Sequence, residues 1–135
     1  MSNWTHVAGI IRVDGIRMDD VEGIDFDKII GKECLWGSPK EVWKDAVKNP
    51  NKYLPMGSEG SLQKSIWENP KKDCLDSYTI SIFGDLRDHH STSDIIEWFK
   101  EKCKLLWVRN AVITVYNEWD GTETYTYEES EEGDG

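Results

Sequence analysis

The segment Asp85-Leu86-Arg87-Asp88-His89-His90 gathers an arginine, two aspartates and two histidines into six residues. Arginine can hold a phosphate or carboxylate through two parallel hydrogen bonds. Histidine can move protons near neutral pH. The plain alternative is a solvated loop in which Arg87 pairs with Asp85 or Asp88. Adjacent histidines in a loop do not chelate a metal as an i, i+4 pair on a helix does, and no metal ligand is assigned.

Gly57-Ser58-Glu59-Gly60-Ser61 is the second group. Two glycines three apart allow backbone conformations that other residues avoid, and successive amides in such a turn can point at an anion. The spacing matches neither a P-loop nor a dinucleotide fingerprint, and a tight turn leading into a strand is the plainer reading. The candidate ligand-binding residues are therefore Gly57, Ser58, Glu59, Gly60, Ser61, Arg87 and His89. No catalytic residue is assigned. His90-Ser91-Thr92 has the His-x-Thr form of two-histidine phosphoesterases, which carry two such motifs. The matching site here, His6-Val7-Ala8, lacks the hydroxyl, so hydrolysis by His89 or His90 is the weaker reading.

These groups need elements to hold them. Tyr78 to Phe83 alternates β-branched or aromatic residues with hydroxyls, as a strand should. Helical spacing follows, with Ile95, Ile96, Phe99, Cys103 and Leu106 forming one stripe. The 84–90 segment is then a strand-to-helix loop, a common place for function. Val7 to Val13 is apolar on both faces, which predicts a central strand, and Asp14-Gly15 should interrupt it. Phe26, Ile29 and Ile30 suggest one helical turn. Ser38-Pro39-Lys40-Glu41 reads as a capping box opening a helix that ends at Asn49-Pro50. Ser61 to Trp67 should pair with Ser77 to Phe83 as an antiparallel hairpin. Residues 109–119 and 122–128 form another around Asp120-Gly121, a strong turn signal.

The glycine turn precedes one strand of the first hairpin, and the 84–90 loop follows its partner. Antiparallel pairing should bring the two loops together, with Trp67 at the strand's other end. The order strand, helix, strand, strand, helix, strand, strand predicts an α+β sandwich of the ferredoxin-like, split β-α-β kind. Its antiparallel sheet would be extended by the C-terminal hairpin, with two helices on one face. Residues 1–127 would be one domain, and 128–135 an acidic tail.

The chain has 135 residues and a formal net charge of −10. Five acids in the tail account for half of that charge. Long nucleic acid needs a basic face and is an unlikely partner. A small anion needs only a few local donors. Seven tryptophans imply a large aromatic core or stacking surfaces, and core is the expectation. Cys34, Cys74 and Cys103 form no CxxC pair and suit a reducing compartment. No long apolar run opens the chain, so neither a signal peptide nor a membrane partner is expected, and the expected location is the cytoplasm.

Four segments resemble a group of short bacteriophage and prophage proteins of unassigned activity. They are Trp4 to Asp14, Leu54 to Leu62, Ser81 to Asp88, and Ala111 to Val115. The resemblance implies a phage product acting in a bacterial cytoplasm. Small phage proteins of this kind include inhibitors of host defence, some of which sequester nucleotide signals. The expected function is thus non-catalytic capture of a small phosphorylated, nucleotide-type ligand, with no cofactor. An acidic, protein-binding inhibitor of a host enzyme is the alternative. The half-polar sheet face left open by the helices predicts self-association as a homodimer or higher oligomer.

Overall fold

A computed structural model describes residues 3–16, 25–68, 77–89 and 91–128. Cys74, His90 and the tail beyond Glu128 lie outside the described residues.

Strand β1 (Trp4–Ile16) is the centre of a five-stranded antiparallel sheet. The other members are β4 (Gln63–Glu68), β5 (Tyr78–Arg87), β6 (Leu106–Asn117) and β7 (Gly121–Glu128), in the order β4-β5-β1-β6-β7. Both of its edges are paired, to β5 and to β6, and only one of its two apolar faces is buried. Val7, Ile11 and Val13 are buried on one side with Ile80, Ile82, Leu86, Ile113 and Val115. Ala8, Ile10 and Arg12 face the other side, across from Phe83, Ser81 and Thr79.

Helix α3 (Thr92–Lys104) covers the buried face with Ile95, Ile96, Phe99 and Cys103. Its Ser91 cap accepts from the Asp94 amide at 3.1 Å. The expected second covering helix, α2 (Lys40–Lys48), does otherwise. It buries Ala46 in a separate cluster with Cys34 and Tyr53, and Val47 is 78% exposed. The main core instead takes Ile29 from the short helix α1 (Phe26–Ile29) and Ile30 just after it, with Leu54 and Leu62. The capping box before α2 does not form. The Ser38 hydroxyl accepts from the Leu35 amide at 3.0 Å, inside the preceding turn, and Pro39, which stands at the N-cap, has no side-chain acceptor.

Other expectations also shift. β1 runs through Asp14-Gly15, taking up the irregularity as bulges against β6. β5 continues through Gly84 to Arg87, because Trp4 to Val7 of β1 offers that stretch a partner beyond the reach of β4. Most of the expected loop is therefore strand. The glycine turn is a small hairpin of β2 (Met56–Gly57) and β3 (Gly60–Ser61). The last hairpin closes with Asn117 opposite Gly121, so three residues form its turn. Gly121 there has φ +89°, a conformation glycine adopts without a Cβ penalty.

No tryptophan is fully buried. Trp36, Trp67, Trp107 and Trp119 are more than half exposed, so the expected aromatic core is in fact aliphatic around Phe99. The space between one sheet and one helix is filled by Ile, Leu and Val. Among the described residues no helix is long and apolar enough to cross a membrane.

Candidate functional site

The small β2–β3 hairpin lies against the end of β5. The Ser58 amide donates to the Arg87 carbonyl at 2.8 Å. Its hydroxyl donates to Asp88 Oδ2 at 3.2 Å. A Cβ on Gly57 would lie 2.4 Å from the Arg87 carbonyl oxygen, so only glycine permits this approach. Gly57, Ser58, Glu59 and Arg87 thus meet although they are distant in sequence.

Arg87 is not waiting for an anion there. Its Nη1 donates to Glu59, and its Nε lies 3.9 Å from Asp88 Oδ2. The hydrogen bond and charge of Glu59 raise the guanidinium pKa, so it stays protonated. Both partners are partly exposed, and an exposed pair of this kind is weak enough to exchange. Gly60 and Ser61 turn inward instead. The Ser61 amide donates to the Cys34 carbonyl at 2.8 Å, and its hydroxyl accepts from the Cys34 amide at 2.8 Å. The His89 carbonyl accepts from Thr5 Oγ1 at 2.7 Å, and its ring Nδ1 accepts from the Ser91 amide at 3.5 Å.

Beside Gly57 and Ser58 an apolar cleft of about 490 Å³ opens, lined also by Trp43, Val47, Leu54, Pro55 and Met56. Ligand pockets commonly have this make-up, apolar walls with a few polar groups at one end. Trp43, on α2, forms one wall and was not among the candidate residues of the sequence.

A different cluster occupies the open face at the same end. His6 Nδ1 lies 2.7 Å from Asp85 Oδ1, and its Nε2 lies 3.4 Å from Glu118 Oε2. The hydrogen bond to Asp85 is the main cause of a raised His6 pKa; partial burial opposes it and Glu118 adds to it. The ring stacks on Tyr116 with centroids 5.8 Å apart.

At the far end of that face a cavity of about 290 Å³ is lined by Arg12, Asp14, Trp67, Thr79 and Arg109, among others. None of these residues is among the candidate ligand-binding residues read from the sequence. One signal was available, a lone arginine ending an otherwise apolar central strand. Among the described residues no group of three histidine, cysteine or acidic side chains is placed to hold a metal. The free thiols of Cys34 and Cys103 are buried, and burial raises both pKa values, that of Cys103 to about 12.

Comparison of the chain with protein-family models, with curated proteins and with solved structures gives no significant match.

Proposed function

We propose that this protein is a non-catalytic binder that sequesters a small phosphorylated, nucleotide-type ligand. The observation that carries the reading is the joining of an apolar cleft to a polar rim by Gly57 and Ser58, which line the one and lie against Arg87 of the other. The ligand's ring occupies the cleft, and its phosphate displaces Glu59 from Arg87. Glu59 is then a built-in competitor, which keeps Arg87 paired when no ligand is present. The resemblance to short phage proteins supports a role against host defence in a bacterial cytoplasm. The strand order, equivalent to that of a ferredoxin-like sheet with one added edge strand, supports that assignment of the fold. Two copies associate through the open sheet face, whose central positions Ala8, Ile10, Phe83 and Val112 carry no charge on a chain of −10.

Heat denaturation of protein purified from bacterial cells, followed by mass spectrometry of released small molecules, tests the reading. A phosphorylated compound is expected. Arg87→Ala should weaken its binding at least about tenfold, the equivalent of roughly 1.4 kcal/mol, and Glu59→Gln should tighten it. Failure to recover or bind any phosphorylated compound, or unchanged affinity in a folded Arg87→Ala variant, sinks the proposal.

A second reading, an acidic inhibitor that binds a host protein, draws on the four exposed tryptophans, a residue type enriched at binding hot spots. It predicts capture of a basic partner that raised salt releases.

A further inference from the structure

We propose a second binding site, at the opposite end of the open sheet face, for a small phosphorylated molecule bearing a planar ring, of nucleoside-monophosphate type. It goes beyond the reading above and stands without it. Thr79 and Arg87 lie eight residues apart on β5, about 26 Å at strand rise, so the two sites do not share a ligand.

The register builds the site. Trp67 pairs with Thr79, Thr79 with Arg12, and Arg12 with Asn110. Paired residues point to the same side of a sheet, so these four stand in one row across four strands. Trp67 is 56% exposed and presents an open aromatic surface. Arg12 is two strand spacings away, about 10 Å. A molecule made of ring, sugar and phosphate spans that separation, with the ring on Trp67 and the phosphate on Arg12.

A bulge supplies the second cation. Arg12 is opposite Asn110 but Val13 is opposite Val108, which leaves Arg109 as the extra residue. Regular alternation would hide one of two neighbours, yet Arg109 and Asn110 are both exposed. Bulges re-aim side chains in this way. Arg109 lines the same cavity as Arg12. Its Nε donates to Asp14 Oδ2 at 2.8 Å, which fixes the guanidinium and leaves its terminal amino groups available. The Arg12 side chain makes no hydrogen bond or ion pair with any described residue. Among the described lining residues two arginines stand against one aspartate, a net positive set within an acidic protein, and the Thr79 hydroxyl adds a donor. The volume, about 290 Å³, sits at the small end of ligand pockets and suits one nucleotide, not two.

The test is calorimetric titration with AMP, GMP, CMP and UMP, with ribose 5-phosphate and the free nucleosides as part-ligands. At least one nucleotide should bind with a Kd below about 1 mM. Arg12→Gln should weaken it at least about tenfold. Trp67→Ala should weaken the nucleotide similarly and leave ribose 5-phosphate unaffected. Arg12→Gln and Trp67→Ala should leave any chemical-shift changes at Gly57 and Ser58 untouched, which separates this site from the cleft. In the unmutated protein, amide chemical-shift changes should centre on Arg12, Thr79 and the Trp67 indole. Absence of binding by all four nucleotides overturns the proposal. So do chemical-shift changes at Thr79 that survive both Arg12→Gln and Trp67→Ala, or changes in the unmutated protein confined to Gly57, Ser58 and Arg87.

Discussion

His6 shows how one side chain responds to a setting that two distant segments create. Asp85 and Glu118 flank its ring from β5 and from the last turn, and Tyr116 stacks on it. Its folded pKa is raised, so protonation favours the folded state. The stabilisation is fully present below the unfolded value of about 6.5 and is lost as pH rises through the folded value. The His6 side chain is 40% exposed, so solvent screening keeps the effect small. A His6→Gln variant should therefore melt below the unmutated protein near pH 6 and approach it above neutrality. A melting difference that is flat with pH, or that grows on the alkaline side, contradicts this account.

At the scale of elements, Asn117 ties three of them together. Its Oδ1 accepts from the amides of Trp119 and Asp120 at 2.9 Å, which shapes the β6–β7 turn. Its Nδ2 donates to Thr5 Oγ1 at 2.9 Å on β1, and Thr5 in turn donates to the His89 carbonyl ahead of α3. Asn117 and Thr5 are both fully buried. Asn117→Ala leaves donors and an acceptor without partners, at about 1–3 kcal/mol for an unsatisfied buried group. Urea unfolding should show that loss in its midpoint. The Ser91 cap stands at the surface end of the same junction, and Ser91→Ala should cost about 1 kcal/mol by the same measurement.

At the scale of the whole molecule, the sheet has one covered face and one open face. Ile10, Phe83, Val112 and Tyr116 are each about two-fifths exposed on the open side. Those neighbours form a weakly polar patch between the His6 cluster and the Arg12 cavity. The chain carries a net charge of −10, so an uncharged patch is where two copies would approach with least repulsion. Light scattering at micromolar concentration should give twice the mass of one chain, and Ile10→Glu should reduce it to a single chain. A single-chain mass for the unmutated protein would falsify self-association.

Local pattern determined much of this architecture. The alternation of Val7 to Val13, the stripe on α3 and the hairpin pairing of β4 with β5 were legible because side-chain periodicity and turn chemistry are properties of short segments. The meeting of Ser58 with Arg87 was legible too, since antiparallel pairing relates the start of one strand to the end of the next. Tertiary structure alone decided the rest. The length of β5 depended on Trp4 to Val7 lying alongside it, some eighty residues away in the chain. Arg87 found Glu59, and His6 found Asp85, only once those strands were in register. The bulge that turns Arg109 out beside Arg12 exists only between two paired strands. Burial of the tryptophans was likewise a matter of available volume, and the space between one sheet and one helix went to Ile, Leu, Val and Phe99. A residue type states what a side chain can do; which partner occupies it is set by contacts between segments far apart in sequence.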